Sequence, residues 1–133
     1  MKSLQVGDSI SKKFIATELI VSEIAKVSGD INPIHLDEDY AANTIFGKRI
    51  AHGLFCINAV FMIIGNYFPG IGSILLSQNF NYRRPIYLDD EIEVKLVIKE
   101  IIEEKDLYLI EIICTNQEGK LVLSGDSTVK WRA

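Results

Sequence analysis

An α+β domain, with an antiparallel sheet curled around one long buried helix, is the fold class that three features of this chain predict. The first is residues 54–68, apolar nearly all round, with Leu54, Phe55, Ile57, Val60, Phe61, Ile63 and Ile64. A helix apolar on every side is normally buried on every side. In a chain of 133 residues only a sheet curling around it can cover it. The second feature is that the chain beyond this helix reads as strand after strand. The third is that the strands read as antiparallel, joined by turns and a hairpin signal, and several antiparallel strands around one long buried helix make an α+β domain.

Val6-Gly7-Asp8-Ser9 reads as a turn before a short strand over 10–15. Thr17 is suited to cap a helix over 18–27, because its hydroxyl can accept from a free N–H of the first turn. Asp37-Glu38-Asp39 supplies the anions that favour the start of a second, short helix through Ala42. Gly47-Lys48-Arg49 is a loop, and His52-Gly53 enters the long helix, which Pro69-Gly70 stops. Residues 73–82 alternate, placing Ile74, Leu76, Gln78, Phe80 and Tyr82 on one strand face. Pro85 and Asp89-Asp90 mark a turn. Residues 92–96 alternate as a half-exposed strand should. A strand over 107–115 ends at Asn116-Gln117-Glu118-Gly119, a hairpin signal, and 121–131 is the last strand.

Between the first two helices lies Ser28-Gly29-Asp30-Ile31-Asn32-Pro33-Ile34-His35. Gly29 is conformationally permissive, and Pro33 fixes its own φ and pushes Asn32 out of the helical region. Asn32 can hold such a turn by bonding nearby backbone. The segment therefore reads as a stiff, irregular loop that aims Asp30 and His35 at a common point. An Asp and a His that both reach one water can activate it for addition to an electrophile.

Composition narrows the function. The formal charge is −4 and the sequence pI about 5.2, which argues against a general attraction to nucleic acid or anionic lipid. Cys56 and Cys114 sit in apolar runs with no CxxC or metal-ligand spacing, as small buried hydrophobes in a reducing compartment do. No His-x-His or Cys-His cluster supports zinc, and residues 35–39 lack the rhythm of a calcium loop. Met1-Lys2-Ser3-Leu4-Gln5 lacks the apolar region of a signal peptide. The apolar stretch 54–64 is broken by Asn58 and falls short of the roughly 20 residues that span a bilayer. One cytoplasmic domain over 1–133, with no membrane or nucleic-acid partner, is the expectation.

The segment holding Asp30 and His35 resembles the signature of the hydratase-2, or MaoC-like, family of (R)-specific enoyl-CoA hydratases. That pattern is a small residue followed by Gly-Asp-x-Asn-Pro-aliphatic-His, and Ser28, Gly29, Asp30, Asn32, Pro33, Ile34 and His35 match it. Ala41-Ala42, Ile50-Ala51-His52-Gly53 and residues 78–85 (Gln-Asn-Phe-Asn-Tyr-Arg-Arg-Pro) are similar to its continuation. The likeness runs from Val6-Gly7-Asp8 to the final strand.

The resemblance implies a hot-dog fold and reversible hydration of a trans-2-enoyl-CoA to an (R)-3-hydroxyacyl-CoA, within fatty acid metabolism. Asp30 would be the base, with His35 orienting the water and supplying or relaying the proton to the α-carbon. Gly53, at a helix N-terminus, offers an N–H that can stabilise a thioester enolate, and the family's matching glycine is used this way. His52 is expected to orient its loop. A serine that some family members carry further along this helix has no counterpart, since no serine occurs between Gly53 and Ser73; Asn58 takes part of that role or it is absent.

Asn32, Asn58 and Gln78 join the basic Lys48, Arg49, Arg83 and Arg84 as candidate substrate-binding residues, the basic ones for coenzyme A phosphates. No metal or redox cofactor is implied, because thioester conjugation already makes the β-carbon electrophilic. At least a homodimer is expected. Three rival readings stay open. A 3-hydroxyacyl-[acyl-carrier-protein] dehydratase would use the same chemistry. A hot-dog thioesterase usually carries a helix carboxylate, which 54–68 lacks. A non-catalytic acyl-thioester binding module would need no Asp and His pair.

Overall fold

The computed structural model describes residues 3–132. The chain runs β1 (Ser9–Ile15), α1 (Glu18–Ser28), α2 (Pro33–Leu36), α3 (Glu38–Ala42), α4 (Leu54–Asn66), β2 (Ile74–Tyr82), β3 (Glu91–Ile102), β4 (Leu107–Thr115) and β5 (Leu121–Lys130), with a 3-10 turn over Glu103–Lys105. The strands form one antiparallel sheet in the order β1-β3-β4-β5-β2.

The sheet curls around α4, which is the hot-dog arrangement. Its inner face buries Ile92, Val94, Leu96 and Ile98 of β3, Ile110, Ile112 and Cys114 of β4, and Leu123 and Val129 of β5. Against them lie Cys56, Ala59, Val60, Ile63 and Ile64 of α4. Each fully buried Ile, Leu or Val stabilises the fold by about 1.5–3 kcal/mol relative to exposure, so this layer carries most of the favourable burial.

Four local readings change. The helix expected over 54–68 ends at Asn66, because Pro69 disfavours helical geometry at Phe68. It is also not covered on every side: Leu54 and Phe61 are 40% and 41% exposed, since a five-stranded sheet wraps only part of its circumference. The strand expected over 92–96 runs from Glu91 to Ile102; a bulge between Ile98 and Glu100 breaks the alternation that its sequence would otherwise have shown. In β2 a bulge between Leu75 and Ser77 does the same. Leu75 pairs with buried Val129, so Ile74 and Leu76 do not share the face of Gln78, Phe80 and Tyr82.

Candidate active site

The segment expected to be irregular contains one helical turn. Pro33 sits at the first position of α2, where its missing N–H costs nothing and its φ suits a helix. Upstream, α1 ends at Gly29 in the left-handed region (φ 77°), with its N–H bonded to Ala25 O. Ser28, Asp30 and Asn32 then each accept from the backbone two residues ahead. Asp30 N–H donates to Ser28 Oγ (3.0 Å), Asn32 N–H to Asp30 Oδ1 (3.2 Å) and Ile34 N–H to Asn32 Oδ1 (3.2 Å). Asn32, a candidate for substrate binding, thus spends its carbonyl oxygen as the cap of α2. His35 is carried on a helix and not on a loop, which gives its ring a firmer mount.

His35 Nδ1 lies 2.7 Å from Ile50 O. A carbonyl only accepts, so Nδ1 carries the hydrogen and the neutral ring leaves Nε2 bare. That nitrogen faces Asp30 Oδ2 at 3.8 Å, too far for a direct hydrogen bond. A carboxylate oxygen and a bare imidazole nitrogen are both acceptors. The group that satisfies both at once is a water donating one hydrogen to each, which leaves its lone pairs for an electrophile.

His52 braces the pair. Its Nε2 is 2.9 Å from Asp30 O, hence protonated, and its ring stacks on His35 with centroids 3.9 Å apart and planes 26° apart. The residue is 2% exposed, and its Nδ1 is buried with no partner among the described residues. One donor atom from each of Asp30, His35 and His52 lies within 4.8 Å of the others, so space assembles a three-donor cluster that linear spacing does not show. One nitrogen of each ring is already spent on a backbone carbonyl.

Arg49 corrects an expectation. It is 8% exposed and does not stand free for a phosphate. Its Nε–H donates to His35 O at 2.7 Å, and Nη1 pairs with Glu18 at 2.8 Å and Glu38 at 3.3 Å. One guanidinium fork therefore ties α1 and α3 to the carbonyl of His35. Burial lowers its proton affinity, but the bonds and charges of Glu18 and Glu38 raise it by more, and the balance is upward.

A cavity of about 340 Å³ opens beside the pair. His35, His52, Gly53, Cys56, Tyr82 and Ile86 are among its walls, and Arg83 and Arg84 also line it. Gly53 is the residue that precedes α4, no side chain caps that helix, and the Gly53 N–H meets no backbone acceptor among the described residues. Arg84 Nη1 donates to Leu121 O (2.9 Å) and Arg83 Nε to Ser124 Oγ (3.3 Å), and both residues are exposed. Lys48 is exposed too, but its Nζ sits 4.6 Å from the centre of the Tyr87 ring, and neither residue lines the cavity.

Two further candidates lie elsewhere. Gln78 donates to Asp126 O (3.0 Å) and accepts from Ser127 Oγ, knitting β2 to β5. Asn58 borders a separate apolar groove between α1 and α4, with Leu19, Ile24 and Met62.

Cys56 and Tyr82 are among the wall residues that pattern reasoning missed as site residues. The Cys114 thiol beside it, and then burial, push the Cys56 thiol up, so it stays protonated. Burial, and then Cys56, raise the Tyr82 phenol. The alternation of β2 places Tyr82 on an inner face, but nothing local says that this end of the strand meets Gly53.

A hot-dog sheet around α4, with an acid and a histidine converging at the helix's N-terminal end, defines a class: the hydratases and dehydratases of this fold. The model of the MaoC-like domain matches residues 13–117, and the chain belongs to that family. It is 40% identical, over 97% of its length and 82% of the relative's, to a 3-hydroxybutyryl-CoA dehydratase of Methylorubrum extorquens. It is 34% identical, over 97% of its length and 96% of the relative's, to an (R)-specific enoyl-CoA hydratase of Aeromonas caviae. The solved (R)-hydratase from A. caviae involved in PHA biosynthesis superposes with a TM-score of 0.94 at 30% identity, covering 99% of this chain and 100% of that one. The protein is an enzyme of the hydratase/dehydratase type, a hydro-lyase.

Proposed function

We propose that this enzyme is an (R)-specific enoyl-CoA hydratase, adding water reversibly to a trans-2-enoyl-CoA to give the (R)-3-hydroxyacyl-CoA. The observation that carries the reading is the pair of acceptors, Asp30 Oδ2 and His35 Nε2, 3.8 Å apart beside the cavity. The water they hold attacks the β-carbon while Asp30 takes its proton. The electrons of the double bond move onto the thioester oxygen, which Gly53 N–H steadies as an enolate. That proton, relayed from Asp30 through His35, then reaches the α-carbon, so that one water is added in full. Donors aimed at the developing oxyanion bind it more strongly in the transition state and intermediate than in the ground state, and so raise kcat. The (R) outcome is supported by likeness to the A. caviae enzyme.

Arg83 and Arg84, at the cavity wall, suit the phosphates of coenzyme A, with Lys48 further out. No metal or redox cofactor enters the scheme. An α4 without Asp or Glu disfavours thioester hydrolysis. Homodimerisation through β2 is supported by its place at the sheet edge and by Ile74, Leu75 and Leu76, all exposed there. An exposed apolar edge strand needs a cover, and a two-fold pairing supplies one. No helix among the described residues is long and apolar enough to cross a membrane, in keeping with a cytoplasmic enzyme.

The test is loss of enoyl-thioester absorbance on adding crotonyl-CoA, with chiral analysis of the product. Formation of (R)-3-hydroxybutyryl-CoA supports the reading; the (S) product or free coenzyme A contradicts it. Faster turnover of the same acyl group on an acyl carrier protein would transfer the assignment to a dehydratase of carrier-bound chains.

A further inference from the structure

We infer that the Tyr82 hydroxyl is a second oxyanion donor, acting with Gly53 N–H on the thioester carbonyl oxygen; the inference rests on the thioester reading above. The starting observation is a close approach. A β-carbon at Gly53 would lie 2.6 Å from Tyr82 Cε1, 2.8 Å from Oη and 2.9 Å from Cζ. What fills that space is the edge of the Tyr82 phenol, brought there from the last residue of β2.

The distances allow a shared acceptor. The β-carbon position is about 2.5 Å from the residue's own nitrogen, so Tyr82 Oη stands at most about 5.3 Å from Gly53 N, given its 2.8 Å from that position. Two donors separated by up to about 5.6 Å can each reach one oxygen lying between them at about 2.8 Å. Both residues line the cavity that also holds His35, so an oxygen held there belongs to the group that the water attacks.

The donors are also available. Tyr87 gives its hydroxyl to Phe46 O at 3.1 Å, whereas no protein acceptor takes the Tyr82 hydroxyl among the described residues. Partial burial, and then Cys56, raise the phenol further above its ordinary value, so it keeps its hydrogen to donate. Tyr82 is 60% exposed as a residue and lines the cavity, so it does not belong to the sealed core. Negative charge grows on the thioester oxygen as the β-carbon is attacked, and a hydroxyl there stabilises the enolate more than the ground-state carbonyl.

The experiment compares the full-length protein with Tyr82→Phe, which removes only the oxygen. Kinetics with crotonyl-CoA are measured alongside binding of acetoacetyl-CoA, whose enolate absorbs in the near ultraviolet. The expected result is a fall in kcat of at least about tenfold, within the loss of up to about a thousandfold seen for an oxyanion donor, with KM and melting temperature little changed. The bound acetoacetyl-CoA should also form its enolate at higher pH in the variant than in the wild type. An unchanged kcat and unchanged enolate titration overturn the inference, as does an effect confined to KM, which would mark Tyr82 as a binding wall. A wild type that does not hydrate crotonyl-CoA would sink the proposed activity alone. The enolate titration would still decide whether Tyr82 donates: a shift in Tyr82→Phe supports the role and no shift removes it.

Discussion

Two halves of this molecule are built by different physics. The sheet and the buried face of α4 hold together by apolar contact, spread over Ile63, Leu96, Ile110, Ile112 and their neighbours. The segment from Ser28 to Gly53 holds together by single polar bonds: Ser28 to Asp30, Asp30 to Asn32, Arg49 to His35, His35 to Ile50 and His52 to Asp30. A packed core shares a loss among many partners, while a chain of directional bonds fails at its missing link. If the polar half carries the proposed chemistry, stability and catalysis should be separable in this molecule.

The largest effect belongs to the pair itself. Asp30→Asn and His35→Gln should each lower kcat by about a hundred- to ten-thousandfold, with circular dichroism and melting temperature close to the wild type. Near-normal turnover in either folded variant would break the comparison, since the polar half would then be scaffold only.

Arg49→Met comes next. It leaves His35 O without its donor and frees α1 from α3, so the His35 ring loses its mount. A misplacement of about 1 Å can cost about a hundredfold in rate, and kcat should fall by about ten- to a hundredfold. An unpaired buried carbonyl costs about 1–3 kcal/mol, so denaturant melts should register a moderate loss too. Full activity in Arg49→Met would show that the guanidinium merely fills space.

Charge reversal at Arg83 and Arg84 should act on binding alone. Contacts to phosphates far from the reacting carbons are made equally in ground and transition states. KM for an acyl-CoA should rise about fivefold per residue, the order of one exposed ion pair, and the effect should shrink with added salt. An unchanged KM would place the coenzyme elsewhere.

Ile112→Ala is the opposite experiment, aimed at the apolar half. It should cost about 2–5 kcal/mol in chemical denaturation while leaving kcat near that of the wild type below the melting range. A large loss of kcat there would mean that the site leans on the core more than its bonds suggest. Chelation should have the smallest effect of all. Activity after EDTA treatment and gel filtration should match the untreated enzyme, and activity restored by one added divalent metal would instead assign the cluster of Asp30, His35 and His52 to that metal.

How much of this was legible in the residues follows the same division. Thr17 was readable as a cap because a cap is a local contract between a side chain and an N–H three residues on, while Asp37 was readable only as an anion at a helix start, although its carboxylate caps Tyr40 N–H in the same way. The curled sheet around α4 was readable because an all-apolar helix in a short chain leaves few alternatives. Asp30 and His35 were readable as a pair because they lie five positions apart around Gly29 and Pro33. What was not readable depends on where distant segments meet. Arg49 looked like free charge because Glu18, 31 positions earlier, gives no local sign of its approach. Pro33 looked like a breaker because the rule against proline inside a helix says nothing of its first turn. Gln78 looked like a site residue because alternation names a face without naming what that face meets, and Tyr82 was left out for the same reason.

The most direct test of the central claim, that Asp30 and His35 act on one shared water, is a double-mutant cycle on kcat for crotonyl-CoA hydration. Groups that work as a unit lose their function together, so removing the second costs little once the first is gone. The double variant Asp30→Asn/His35→Gln should therefore be about as slow as the slower single variant. If the two losses instead multiply, each residue acts independently on a different atom, and the shared-water geometry is wrong.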